Sequence, residues 1–394
     1  MCIRDRAGAV YARHSQIIVL SVIITASFGV GISFSIGYPL TALTFEAWQQ
    51  PAWLIGLAGS APALGVLLTL PLIPRIIHKL GAAGAMVAGY AIGAIGFASL
   101  YMVPHPWAWI LIRLAMNGGL AIPWLTSETW INAVSPDRLR GRIIAVYAIA
   151  FFLGFAIGPL LLKKAGIEGY LPFAIAGAVT ALCAMPVWLA RKTAPEFTLD
   201  PDIRVRSAFL LAPSSMVGGF LVGFIETVSV SLLPVFALNR GLGQEATLGL
   251  LSAITFGGVF LQIPIGYASD RYSKGFLMIG LAASLALELV LFPVVLNSAL
   301  LALILAFVIG GSAVGVYTLA LGMIGEEVDR NALPAANAMF LVLYEVGALT
   351  GPVITGLAMT ASPKLGYTVS SVAALVLTIP VLVILQRRKH AARP

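Results

Sequence analysis

Residues 191–206 read RKTAPEFTLDPDIRVR, and seven of these sixteen residues carry a charge. On either side the chain is apolar for long runs. Before this stretch the runs lie at about 16–44, 53–74, 84–103, 107–128, 142–162 and 170–189. After it they lie at about 208–236, 247–268, 275–295, 298–324, 334–358 and 366–385. Each run is near or above the roughly 20 residues that one helical crossing of a bilayer needs. Backbone left unpaired in hydrocarbon is too costly to persist, so the runs are expected to be helices. The polar stretch therefore separates two sets of six spans.

Composition supports this reading. The 394 residues are 59% hydrophobic and 10% charged, against about 45–50% and about 25% in soluble domains. That excludes a disordered chain, a fibre and a soluble enzyme. The expected fold is an all-α membrane protein of twelve transmembrane helices in two six-helix bundles. The expected boundaries are 1–190, a linker at 191–206, and 207–394. Met1 to Arg6 are charged and stand apart from the first apolar run, so they read as non-native and carry no functional expectation.

The charge distribution orients the spans. With both termini on one side, 19 of the 24 basic residues fall in loops on that side and four, Lys163, Lys164, Arg240 and Lys364, on the other. Basic loops favour the cytoplasm, so both termini are expected there. The same loops account for the net charge of +8. Their basic residues face anionic lipid heads, and no nucleic-acid partner is needed. Cys2 and Cys183 are far apart, and no CxxC, HExxH or phosphate-loop pattern occurs. Hence no metal, no cofactor and no ATP-driven step is expected.

The two halves resemble each other. Gly154 and Gly158-Pro159 in span five match Gly347 and Gly351-Pro352 in span eleven. Asp137-Arg138 precedes the first set and Asp329-Arg330 the second, with 21 residues from Arg138 to Pro159 and 22 from Arg330 to Pro352. Pairs of six-span halves are the plan of parallel-repeat transporters. Glycines four apart share one helix face and permit close helix contact. The prolines beside them remove a backbone donor and bend the helix. These six residues read as packing pivots or as ordinary close packing.

Charges inside the spans carry the chemistry. Arg113 lies in span four, Glu226 in span seven, Glu288 in span nine and Glu345 in span eleven. A charge in hydrocarbon is costly unless it faces a partner or a cavity. Carboxyl groups in apolar settings exchange protons nearer neutral pH than those in water, which suits proton coupling. Each of the four therefore reads as a coupling or cavity residue, or as one member of a structural pair. Glu226 is a candidate partner for Arg113. Tyr38, Asn117 and Tyr344 are candidate substrate contacts. Six tryptophans, Trp48, Trp53, Trp107, Trp109, Trp124 and Trp130, lie near span ends and read mainly as interfacial anchors.

The loop between spans eight and nine runs Gly266-Tyr-Ala-Ser-Asp270-Arg271-Tyr-Ser-Lys274, where Asp270 can cap the following helix. This stretch resembles the signature loop of the major facilitator superfamily. Arg113 with Asn117-Gly118-Gly119 resembles that family's span-four motif, which implies a link to proton transfer. Gly154-x-x-x-Gly158-Pro159 resembles its span-five antiporter motif, and Asp137-Arg138-Leu-Arg-Gly-Arg142 its loop after span four. Ser127 to Asn132 resembles the YcaD-like bacterial subgroup. The resemblance covers nearly the whole chain. It implies two pseudo-twofold bundles around a central cavity. It also implies a cytoplasmic gate at Gly266, Asp270, Arg271, Lys274, Asp137, Arg138 and Arg142. Two departures stand out. Pro74 occupies the place of an aspartate in the first-half loop, and Leu160-Leu161 follow the span-five proline where small residues are usual.

The expected function is secondary active transport of a small organic solute, coupled to protons, by a monomer working by alternating access. Efflux is preferred on Gly158-Pro159. Import of a sugar or other nutrient is the first alternative. A membrane-embedded enzyme or a receptor is the second.

Overall fold

The computed structural model describes the backbone of residues 2–135, 139–193, 209–329 and 332–391. Side chains are described from residue 19 to 389, apart from 132, 133, 140, 141 and 193 within those segments. The linker expected at 191–206 lies mostly outside the described residues, as do Asp137, Arg138 and Arg330.

The protein is an all-α, multi-spanning membrane protein. The helices in the first half are α1 (Cys2–Ala47), α2 (Ala52–Thr69), α3 (Ile73–Met102), α4 (Pro106–Val134), α5 (Arg140–Ala165) and α6 (Leu171–Leu189). The second half has α7 (Pro213–Asn239), α8 (Gln244–Phe260), α9 (Gln262–Arg271), α10 (Lys274–Val295), α11 (Ala299–Glu327), α12 (Leu333–Ala361) and α13 (Gly366–Ala391). Among the described residues these make 11 continuous apolar runs long enough to cross a membrane. One run, Ala52–Met102, has 51 residues, more than twice the roughly 20 that a crossing needs. It holds the two spans expected at 53–74 and 84–103. The eighth expected span is α8 and α9 together, Gln244–Arg271.

The long run is broken by a single 3-10 turn, Leu70–Leu72, and then at Gly81. Gly81 has φ 69° and ψ 164°, a conformation that only glycine adopts without strain. The break frees a short amphipathic stretch. Ile73 and Ile77 pack inward on Ala85 and Ile122, while Arg75, His78 and Lys79 are exposed.

The chain clusters into two compact units. The first comprises Met1–Ile36, Gly65–Gly158 and Glu168–Leu199; the second comprises Gly37–Leu64, Pro159–Ile167 and Asp200–Pro394.

Within the first unit α1 crosses α5 with backbone against backbone. A Cβ on Gly154 would lie 2.1 Å from the carbonyl oxygen of Phe28, and one on Gly31 2.2 Å from that of Phe151. Gly158 instead meets the Ser35 side chain. A second crossing joins α2 and α4, where a Cβ on Gly65 would lie 2.2 Å from the carbonyl of Leu114.

The second unit repeats this plan. Gly347 meets the Phe220 carbonyl at 2.1 Å and Gly223 that of Tyr344 at 1.9 Å, where α7 crosses α12. Gly257 and Gly310 join α8 to α11. The repeat is close to constant in register. Gly31, Gly65 and Gly118 correspond to Gly223, Gly257 and Gly310 at a spacing of 192 residues, and Gly154 and Gly158 to Gly347 and Gly351 at 193. The second unit also contains the start of α2, where Gly56 lies against the carbonyl of Pro352 and the Trp53 N–H donates to Thr360 Oγ1 at 3.0 Å. Lys163 at the end of α5 pairs with Glu245 at 2.8 Å.

A side chain at the α7/α12 crossing must push the helices apart, and overpacking typically costs about 1–3 kcal/mol. Gly347→Val is therefore expected to lower the melting temperature of the purified protein. Gly280→Ala, at a helical glycine with open space around it, is expected to leave it unchanged. A thermal unfolding series in one detergent checks the pair.

Candidate functional site

The α7/α12 crossing places the side chains three residues from its glycines. Glu226 follows Gly223 by three positions, and Tyr344 precedes Gly347 by three. The Tyr344 hydroxyl donates to Glu226 Oε2 at 2.7 Å. Tyr317 of α11 meets the Tyr344 ring edge-on, with centroids 6.0 Å apart, and also contacts Phe340. Glu345, the next residue on α12, is buried at 4% exposure. Two carboxyl groups and a phenol thus share one region of the second unit, with aromatic rings around them.

Glu288 belongs to a different setting. Its Oε1 accepts hydrogen bonds from Ser284, one turn earlier on α10, at 2.6 Å and from Ser312 of α11 at 2.8 Å. This carboxyl ties α10 to α11, as expected of a buried polar group that has found partners. Tyr38 lies in the second unit and is partly exposed.

In the first unit Arg113 is 1% exposed. Asn117, one turn further along α4, is also buried, and its amide donates to the Arg113 carbonyl at 2.8 Å. One of the two amide hydrogens thus serves its own helix. Arg113 lies in the first unit and Glu226 in the second, and the hydrogen bond that Glu226 accepts comes from Tyr344.

The segment expected to gate the cytoplasmic side is mostly helical. Gly266, Asp270 and Arg271 belong to α9, and Lys274 starts α10. Asp270 does not cap α10. Ser273 holds that position, with no side-chain cap bond, because α9 continues through Arg271 and carries Asp270 in its own last turn. Lys274 pairs with Glu326, and Lys389 of α13 with Glu327, so α11 is tied to both neighbours at this end. Arg142 is exposed near the start of α5.

The tryptophans divide. Trp107 is exposed, as an interfacial anchor should be, but Trp109 and Trp130 are fully buried. Trp109 donates to the Val103 carbonyl at 3.0 Å and packs edge-on against Phe173. A residue near a span end lies at the interface only if its face of the helix also points outward, and helix rotation decides that.

Glu128 is a further span carboxylate, which the sequence reading left at the edge of span four. In the structure α4 continues to Val134, and Trp124 Nε1 donates to Glu128 Oε1 at 3.0 Å. The spacing of four residues on a helix is the signal that would have found it.

Residues 17–243 and 215–394 both match the Major Facilitator Superfamily. The chain belongs to that superfamily. Membership places it among membrane transporters and not among enzymes. It is 28% identical over 87% of its length to an uncharacterised MFS-type transporter, YfkF, of Bacillus subtilis, covering 88% of that protein. An uncharacterised MFS-type transporter of Yersinia pestis is 25% identical over 83% of this chain and 85% of its own.

Solved structures show the same fold. The nucleoside transporter NupG superposes with a TM-score of 0.73 at 16% identity, over 95% of this chain and 98% of its own. A D-xylose-proton symporter superposes at 0.69 and 14% identity, over 92% and 96%.

Removing a buried aromatic side chain costs about 3–5 kcal/mol. Trp109→Ala should therefore destabilise this superfamily member strongly, and Trp107→Ala only slightly. Unfolding midpoints of the two variants, measured side by side, check the difference.

Proposed function

We propose that the chain is a proton-coupled importer of a small organic solute, working by alternating access in a bacterial inner membrane. The observation that carries this reading is the hydrogen bond from Tyr344 to Glu226, with Glu345 beside it on α12. A carboxylate within a span, held by a phenol that must reorient when the acid takes up a proton, links protonation to side-chain geometry. Glu226 and Glu345 are the proposed proton carriers. Tyr344, Tyr38 and Asn117 are the proposed solute contacts, and Arg113 is the fixed positive charge of the first half. Glu288 is assigned the structural role that its serine partners describe.

Import replaces the efflux preference on a physical ground. That preference rested on Gly158-Pro159, whose glycine is accounted for by its contact with Ser35. The same step recurs as Gly351-Pro352 in the second half. It is therefore a property of the repeat and carries no direction. The similar fold of a D-xylose-proton symporter is in keeping with import.

The same proposal assigns the two moving bodies to residues 1–190 and 207–394, joined by 191–206, with both termini cytoplasmic. The gate is assigned to Gly266, Asp270, Arg271, Lys274, Asp137, Arg138 and Arg142. Gly154, Gly158, Pro159, Gly347, Gly351 and Pro352 are the pivots. The protein acts as a monomer with solute, protons and lipid as its partners. Membership of the YcaD-like subgroup, carried by Ser127 to Asn132, belongs to the proposal as well.

The test is solute uptake into sealed vesicles with and without an inward proton gradient. Accumulation is expected only with the gradient. Glu226→Gln is expected to abolish accumulation while preserving exchange of solute across the membrane at equal concentrations. Accumulation that ignores the gradient, or a Glu226→Gln variant that still accumulates solute, would sink the coupling assignment.

A further inference from the structure

The repeat brings a second set of side chains to the same register. Phe34 follows Gly31 by three residues, as Glu226 follows Gly223. Phe151 precedes Gly154 by three, as Tyr344 precedes Gly347. Thus the positions that carry an acid and a phenol in the second half carry two phenyl rings in the first.

Trp124 of α4 completes the first-half set. Its ring meets Phe34 edge-on, with centroids 6.1 Å apart, and lies within 15° of parallel to Phe151 at 6.4 Å. Phe155 continues the row at 6.1 Å from Phe151. The indole is held in place, since its N–H donates to Glu128 at 3.0 Å. Ser127 also binds Tyr147, at 2.8 Å, which ties α4 to α5 beside it.

Phe34 is buried and backs the row, while the other rings are not core. Trp124, Phe151 and Phe155 are partly exposed, unlike the buried Trp109 and Trp130. Successive helical residues turn by about 100°, so Phe151 lies on the side of α5 away from the exposed Val146 and Ile149. By the same count Trp124 lies on the side of α4 away from the exposed Leu111. Three oriented aromatic rings are thus accessible on faces turned away from the exposed aliphatic residues.

We infer that Trp124, Phe151 and Phe155, with the buried Phe34 behind Trp124, form a stacking subsite for a planar heteroaromatic ring of the transported solute. Flat π-faces bind such rings by offset stacking and edge contacts, and a tryptophan already fixed by a hydrogen bond loses little freedom on binding. Glu128 is a positioning residue that sets the plane of the Trp124 ring. The inference rests on the reading of the chain as a solute carrier and names the class of its solute.

The test is equilibrium binding to the purified full chain with no gradient. Two flat probes, nicotinamide and adenosine, are compared with their ring-less or saturated counterparts, cyclohexanecarboxamide and ribose. Nicotinamide and adenosine are expected to bind at least about tenfold more tightly than the counterparts, the scale that stacking on one aromatic side chain supplies. Trp124→Ala is expected to remove that preference and Trp124→Phe to keep most of it. Glu128→Gln, which retains an acceptor for the indole N–H, should bind like the native chain, and Glu128→Leu should bind more weakly.

Equal binding of flat and saturated probes, absence of binding by both flat probes, or a folded Trp124→Ala variant that keeps the preference would overturn the subsite. The two readings fail separately. Flat-probe binding without gradient-driven uptake removes proton coupling and leaves the subsite standing. Gradient-driven uptake of ribose without flat-probe binding does the reverse.

Discussion

The backbone contact between α7 and α12 sets the geometry of the second half. Gly223, Gly347 and Gly351 let the helices meet with carbonyl oxygen where a Cβ would otherwise stand. In hydrocarbon such helices gain nothing from burying apolar surface, so close van der Waals approach has to hold them together. The crossing then determines what stands beside it. Glu226 and Tyr344 project three residues from the glycines and meet in a hydrogen bond. At the α1/α5 crossing Phe34 and Phe151 stand at the same offsets, and each meets Trp124 of α4.

The internal repeat therefore preserved scaffold and changed chemistry. The crossing glycines recur at a spacing of 192 or 193 residues, while the positions three residues from them differ in kind. One half offers rings and the other offers a carboxyl and a hydroxyl. Packing restricts the glycine positions tightly, since even one methyl group would strike backbone. Of the positions three residues away, Phe34 is buried while Phe151, Glu226 and Tyr344 are partly exposed.

Much of this was legible in the chain itself. The apolar runs located the membrane-spanning helices among the described residues, because hydrocarbon thickness demands a length that can be counted. Gly154, Gly158, Gly347 and Gly351 were legible as close contacts, because glycine is the residue that permits them. Glu226, Glu345 and Tyr344 stood out because polar groups are rare in such runs. The cap expected from Asp270 was not legible, because α9 runs on through it and Ser273 starts the next helix. The tryptophans were legible only in depth. Trp107 is exposed while Trp109, two residues on, is buried against Phe173. Glu128 was missed because the end of an apolar run was taken as the end of its helix.

The sequence by itself determined the all-α membrane class, the places of the apolar runs, and the repeated glycine spacing. These are one-dimensional quantities: a count of apolar residues and the intervals between small ones. Only the tertiary structure decided that Tyr344 holds Glu226, that Ser284 and Ser312 hold Glu288, and that Trp124 lies between Phe34 and Phe151. Those pairings depend on how far each helix is rotated about its axis and where it crosses its neighbours. A turn of about 100° per residue means that a shift of a single position exchanges a buried face for an exposed one. Contacts from other helices, distant in the chain, fix that rotation.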